Sequence, residues 1–212
     1  QTITLIYINT PLQSVTNYKY LGVHITTDLT WTVHCNYVIK NANRMLGYLR
    51  RNFSTAPSFL KLLLYTTLIR PKLEYSAAVW DPSHANLIHS LEMVQNNSIR
   101  FILSNYNRTA SITAMKSSLN LPSLSSRRKM FRLHLFHKLF HHTSLRDGLI
   151  LPPSYISPRL DHSHKVGLPS CRTRAFSQSF IPRTSEDWNR LPASAATIVN
   201  HLHFKSVLTS YV

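Results

Sequence analysis

Leu91-Glu92-Met93-Val94-Gln95-Asn96-Asn97-Ser98-Ile99-Arg100-Phe101-Ile102 is the stretch on which the fold turns. Leu91, Val94, Ile99 and Ile102 recur at helical spacing, and Leu87 extends their stripe one turn upstream. The spacing predicts an amphipathic helix over residues 85–103, ending in a basic residue, Arg100, beside Phe101. The turn signal Asp81-Pro82-Ser83 marks its beginning.

The same period governs most of the chain on either side. Upstream, Val33, Tyr37, Ala42, Met45, Leu46 and Leu49 predict a helix from residue 32, with Lys40, Arg44, Arg50 and Arg51 on its opposite face. Pro57 suits the first position of a following helix, and Pro71 is expected to kink or divide it. Downstream, a short helix over residues 109–119 and a longer one over 123–142 are expected. Met130, Leu133, Leu135, Phe136, Leu139 and Phe140 are the apolar positions of the longer one. Pro152, Pro153, Pro158, Pro169 and Pro182, among many Ser and Arg, predict an irregular connection over residues 150–185. Order is expected to return near Trp188, with a last helix over residues 202–211.

The amino end has a different period. Residues 2–8 alternate like a strand, Pro11 breaks the run, and residues 18–25 read as a second strand with Gly22 at a bulge or close backbone approach. The expected class is mainly α. A small N-terminal β-hairpin precedes a helical bundle, a Pro/Ser/Arg-rich irregular segment and a C-terminal helix. Expected domain limits are 1–30, 31–148 and 149–212.

The charge is lopsided: 24 Lys and Arg against 8 Asp and Glu give +16 over 212 residues. Such a field favours a polyanion, because each phosphate neutralised releases condensed counterions. An acidic membrane surface would also attract it, but no apolar run approaches the roughly 18 residues a spanning helix needs. Two cysteines, Cys35 and Cys171, are too few for a disulfide framework. The strand-like start, without methionine or signal-peptide pattern, suggests a piece of a larger protein.

Several blocks, in order, resemble the region downstream of the polymerase palm in non-LTR (LINE-type) retrotransposon reverse transcriptases. Lys19-Tyr20-Leu21-Gly22-Val23 looks like the hairpin that grips the primer end. Asp28-Leu29-Thr30-Trp31 and Gly47-Tyr48-Leu49-Arg50-Arg51 are similar to the start of the thumb. Leu68-Ile69-Arg70-Pro71-Lys72-Leu73-Glu74-Tyr75 and Val79-Trp80-Asp81-Pro82 continue it. Leu91-Glu92 with Arg100-Phe101-Ile102, then Leu121-Pro122 with Arg127-Arg128, and finally Asp187-Trp188-Asn189-Arg190-Leu191-Pro192 complete the series. Asn97 departs from the pattern, since relatives often carry a basic residue there, and no cysteine–histidine knuckle closes the chain. The resemblance implies a thumb and post-thumb fragment of an RNA-directed DNA polymerase. Its implied partners are RNA or DNA, through phosphate contacts, and a palm and fingers region on its amino-terminal side. It implies no membrane and no small-molecule substrate. It places the parent in an intracellular ribonucleoprotein, in nucleus or cytoplasm.

The parent polymerase would need two magnesium ions held by palm aspartates. Neither the early palm aspartate nor the paired Ala-Asp-Asp turn of the family is present in this sequence, so no catalysis is expected from this chain by itself. Glu186-Asp187 reads as a helix start, with Asp187 a cap or first-turn acid. His134, His137 and His141 share a helical face, and His162, His164 and Cys171 form a second group. Neither has a tight ligand spacing, so the first reads as a partly titratable basic face.

The candidate nucleic-acid contacts are Lys40, Arg44, Arg50, Arg51, Arg100, Arg127, Arg128, Lys129 and Arg132, with Lys19, Tyr20, Leu21 and Gly22 as the primer-grip-like group. Arg127 to Arg132 is the densest cluster. Arginines near a helix N-terminus are unfavourable unless something anionic answers them, so part of it can be structural. Tyr48 and Tyr106 are candidate stacking residues, and Arg172, Arg174 and Arg183 could reach a backbone. Two other readings remain open: a non-catalytic RNA- or DNA-binding protein of retrotransposon origin, and a protein-interaction module or non-functional remnant.

Overall fold

A computed structural model describes residues 6–7, 10–11, 14–209 and 211. Of the expected first strand, residues 2–5 and 8 lie outside the described residues; β1 (Ile6–Tyr7) and β2 (Thr10–Pro11) pair antiparallel. The second expected strand is two. β3 (Asn17–Tyr20) and β4 (Val23–Thr26) form an antiparallel hairpin, with Tyr20 opposite Val23. Its two-residue turn has φ of 44° at Leu21 and 85° at Gly22. Positive φ at both central positions matches the twist of the flanking strands, so Gly22 closes a turn where a bulge was expected.

Helices make up most of the rest. They are α1 (Thr32–Asn52), α2 (Ser58–Leu64), α3 (Arg70–Glu74), α4 (Ala77–Trp80), α5 (Ala85–Ile102), α6 (Ile112–Ser118), α7 (Leu124–His141) and α8 (Thr143–Leu149). After an irregular segment follow α9 (Arg174–Ser177), α10 (Phe180–Asn189), α11 (Ala193–Ala196) and α12 (His201–Leu208). The helical path does not stop at Pro71, but it is divided just before it. Residues Tyr65–Ile69 widen into a π turn, with the Arg70 amide donating to the Tyr65 carbonyl, and Pro71 lands in the first turn of α3, where its missing N–H costs little. α10 begins well before Trp188, because Pro182 is tolerated in a first turn.

The buried side chains form two clusters. The first joins α1, the π turn, α3, α4 and α5 around Leu46, Leu49, Ile69, Leu73, Leu91 and Ile99. The second joins the end of α7 to α10, α12 and Val166, around Leu133, Phe136, Phe204 and Leu208. Each holds a fully buried tryptophan whose indole N–H meets a backbone carbonyl: Trp80 to Tyr75 at 2.7 Å, Trp188 to His164 at 2.8 Å. α7 belongs to both. The second cluster draws on Leu139 and Ile150, from both sides of residue 148.

Candidate nucleic-acid interface

α1 is buried along His34, Cys35, Val38, Ala42, Leu46 and Leu49. Of the expected inner positions Ala42, Leu46 and Leu49 are buried, whereas Val33 and Tyr37 are 40% and 38% exposed. Tyr37, Lys40, Arg44, Tyr48 and Arg51 line the opposite face at three- and four-residue steps, all exposed. Among the described residues no carboxylate pairs with any of these three cations.

The hairpin docks beside this face. Lys19 Nζ donates to the Tyr37 hydroxyl at 3.1 Å and lies 4.7 Å from the ring centroid. The bond from Lys19, then its charge and more weakly that of Lys72 on α3, hold the Tyr37 hydroxyl below the usual tyrosine range. Lys72 is therefore part of the same positive field. Tyr18 and Tyr20 project from β3, 61% and 57% exposed. The close approach expected at Gly22 is made within the chain: a Cβ there would sit 3.3 Å from the Tyr75 ring, whose hydroxyl donates to the Leu21 carbonyl at 2.9 Å.

The other candidates are engaged elsewhere. Arg50 Nη2 donates to the Asn97 carbonyl at 3.0 Å, tying α1 to α5. Arg100 Nη1 donates to the Asn107 carbonyl at 2.7 Å and fastens the loop after α5. Tyr106 is exposed on that loop.

The cluster from Arg127 to Arg132 is corrected at two of its four positions. Expected as a contact surface with part of it structural, it has Arg128 0% and Arg132 3% exposed, while Arg127 and Lys129 stay partly exposed. Asp81, itself buried, accepts from Arg128 Nε at 2.7 Å and Arg132 Nε at 2.9 Å. Arg183 approaches the same carboxylate at 3.3 Å. Arg132 also reaches the Thr184 hydroxyl at 3.1 Å and Asp187 at 2.9 Å; Lys129 lies 3.4 Å from Asp187. Arg127 makes a bidentate pair with Glu74 and stacks over Phe131. Glu92 accepts from the Ser125 amide at 3.0 Å and pairs with Lys116, so an anion meets the N-terminal end of α7. Asp187, expected at a helix start, lies near the end of α10, where Arg132 and Lys129 face it. Charged residues default to the surface in pattern reading, and nothing local reveals a partner some 50 residues away.

The histidines are also corrected. His137 is 1% exposed, stacks on Phe204 at 4.2 Å and bonds the Ile198 carbonyl at 2.6 Å. Burial lowers its pKa to about 4, with the neighbouring histidines adding to the effect. His162 bonds the Trp188 carbonyl at 3.1 Å and His164 the Ala196 carbonyl at 2.9 Å. What read as a basic face is an aromatic seam of the second core. Among the described residues no group of three or more His, Cys, Asp or Glu side chains is placed to hold a metal. The two acids the fold does bring together, Asp81 and Asp187, both face Arg132, so a divalent cation between them would meet guanidinium charge. The magnesium ions implied for the parent polymerase thus find no fitting donor set there.

Comparison with family models, with curated proteins and with solved structures finds no match for this chain.

Proposed function

We propose that this chain is the thumb and post-thumb part of a LINE-type reverse transcriptase, and that it holds a template–primer duplex without catalysing synthesis. The observation that carries the reading is the outer face of α1. Its cations Lys40, Arg44 and Arg51 stand among Tyr37 and Tyr48, with Lys19 and Lys72 beside them and no carboxylate in pairing distance among the described residues. A cationic strip of this kind suits phosphate and sugar, which fix position without reading sequence. The tyrosines add faces for unpaired bases where the duplex ends. The order of motifs from Lys19 to Pro192 supports the family reading.

The test is fluorescence anisotropy of the purified chain with an RNA–DNA hybrid, titrated with salt. Five phosphate contacts give a log–log slope of about −4.5, which is roughly a 500-fold loss of affinity from 50 to 200 mM salt. Binding that ignores salt, or none at low salt, overturns the proposal in favour of a protein-interaction module. Primer extension with magnesium tests the non-catalytic part: template-dependent synthesis refutes it.

A further inference from the structure

Away from the α1 strip, a cavity of about 560 Å³ opens between the loop before α1, the α4–α5 turn and the α9–α10 segment. That volume lies within the range of small-ligand sites. Its walls are aromatic and aliphatic: Trp31, Phe176 and Phe180, with Leu29, Val79 and Pro82. Besides the buried Arg132, two nitrogen-bearing side chains line it, Arg174 and His84, both exposed and neither in an ion pair among the described residues. The two acids that reach it are already engaged. Asp81 is held by the buried arginines, and Asp28 accepts from the Thr26 and Thr30 hydroxyls at 2.6 and 3.1 Å. Trp31, His84 and Ser179 are moreover the N-cap residues of α1, α5 and α10, whose first turns carry no acidic residue. Flat apolar walls with positive charge beside them fit a ligand that is a planar ring at one end and an anion at the other.

We propose that this cavity binds one unpaired nucleotide, with its base against Trp31 and Phe176 and its phosphate at Arg174 and His84. For the ligand's source the inference rests on the nucleic-acid reading above; the site itself is separate from the α1 strip. The nucleotide is either free or the 5′-phosphorylated end of a strand, since both present the same base and phosphate.

Trp31 provides the readout. It is the tryptophan that lines the cavity, whereas Trp80 and Trp188 are fully buried, and Trp31→Phe should abolish the ligand-dependent change in emission. The full chain is titrated with AMP, ribose 5-phosphate, inorganic phosphate, and short oligoadenylates with and without a 5′-phosphate. The expected result is saturable quenching by AMP that neither phosphate nor ribose 5-phosphate reproduces. Arg174→Gln and His84→Gln, both at exposed positions, should each weaken AMP by about tenfold, as loss of a charge-assisted bond does. A 5′-phosphorylated oligonucleotide that binds more tightly than its 5′-hydroxyl form identifies a strand end as the source; exclusion of both identifies the free nucleotide. Absence of AMP quenching, AMP affinity unchanged in both variants, or phosphate binding as tightly as AMP overturns the proposal. The two readings fail separately. Lys40→Gln/Arg44→Gln/Arg51→Gln should weaken duplex binding and leave AMP affinity unchanged.

Discussion

α1 and α7 carry almost the same basic residues and use them in opposite ways. Lys40, Arg44 and Arg51 stand on the outer face of α1 with no acid opposite them among the described residues. Arg127, Arg128 and Arg132 on α7 are turned inward, onto Glu74 and Asp81. Eight acids serve 24 basic side chains, so where the acids lie decides which cations remain for a partner. Asp81 and Asp187 join α4, α7 and α10, and with them the two cores. Desolvating these charges is costly, and only their mutual pairing offsets it. On α1 the same charge stays hydrated and costs the fold nothing.

The comparison breaks first at Asp81. Asp81→Ala leaves the buried Arg128 without its carboxylate, and should lower stability by about 3–5 kcal/mol in urea unfolding. A loss under about 1 kcal/mol would mean that the network does not hold the cores together. The α1 side breaks next. Lys40→Gln/Arg44→Gln/Arg51→Gln should reduce the salt slope by about 2.7 and duplex affinity near 0.1 M salt by about 10²–10³-fold. Its melting temperature should stay close to that of the parent chain, because none of the three is buried.

Acid tests both cores together. His34 and His137 are each lowered to about 4 by burial, from an ordinary histidine value of 6.5. Between those values the unfolded chain binds protons that the folded one refuses. Their contribution is intact above pH 6.5 and drains away as the pH falls toward 4. Unfolding midpoints measured across that interval should decline, and His34→Gln/His137→Gln should flatten the decline. The smallest expected effect sharpens the contrast with Asp81. Glu186 pairs with Arg190 on the exterior, with side chains 54% and 68% exposed. Glu186→Gln should change stability by less than about 0.5 kcal/mol.

Much of the fold was legible because helical periodicity is local. The expected 85–103 helix is α5 (Ala85–Ile102), and the expected 123–142 helix is α7 (Leu124–His141). Hairpin chemistry was half legible. Gly22 signalled an unusual backbone, but Leu21 also takes positive φ, which a branched side chain does not advertise. In α1 the inner stripe was legible at Ala42, Leu46 and Leu49 and missed in the first turns, where His34 and Cys35 are buried and Val33 and Tyr37 are exposed. His34 packs edge-on against Trp80 at 4.9 Å, a partner that no local spacing reveals. Lys72 was missed as a neighbour of the α1 strip because no sequence spacing places α3 beside the hairpin. The pocket around Trp31 was invisible for the same reason, since its walls come from residues as far apart as Asp28 and Phe180.

Sequence by itself determined where helices run and how many basic residues exceed the acids. Tertiary structure alone decided which of those basic residues face water. A helix has a period but no knowledge of what stands across from it. Asp81 lies 47 residues from Arg128 and 51 from Arg132, and only folding brings them within 3 Å. That contact turns the densest run of positive charge in the chain from an apparent binding surface into the joint between its two cores.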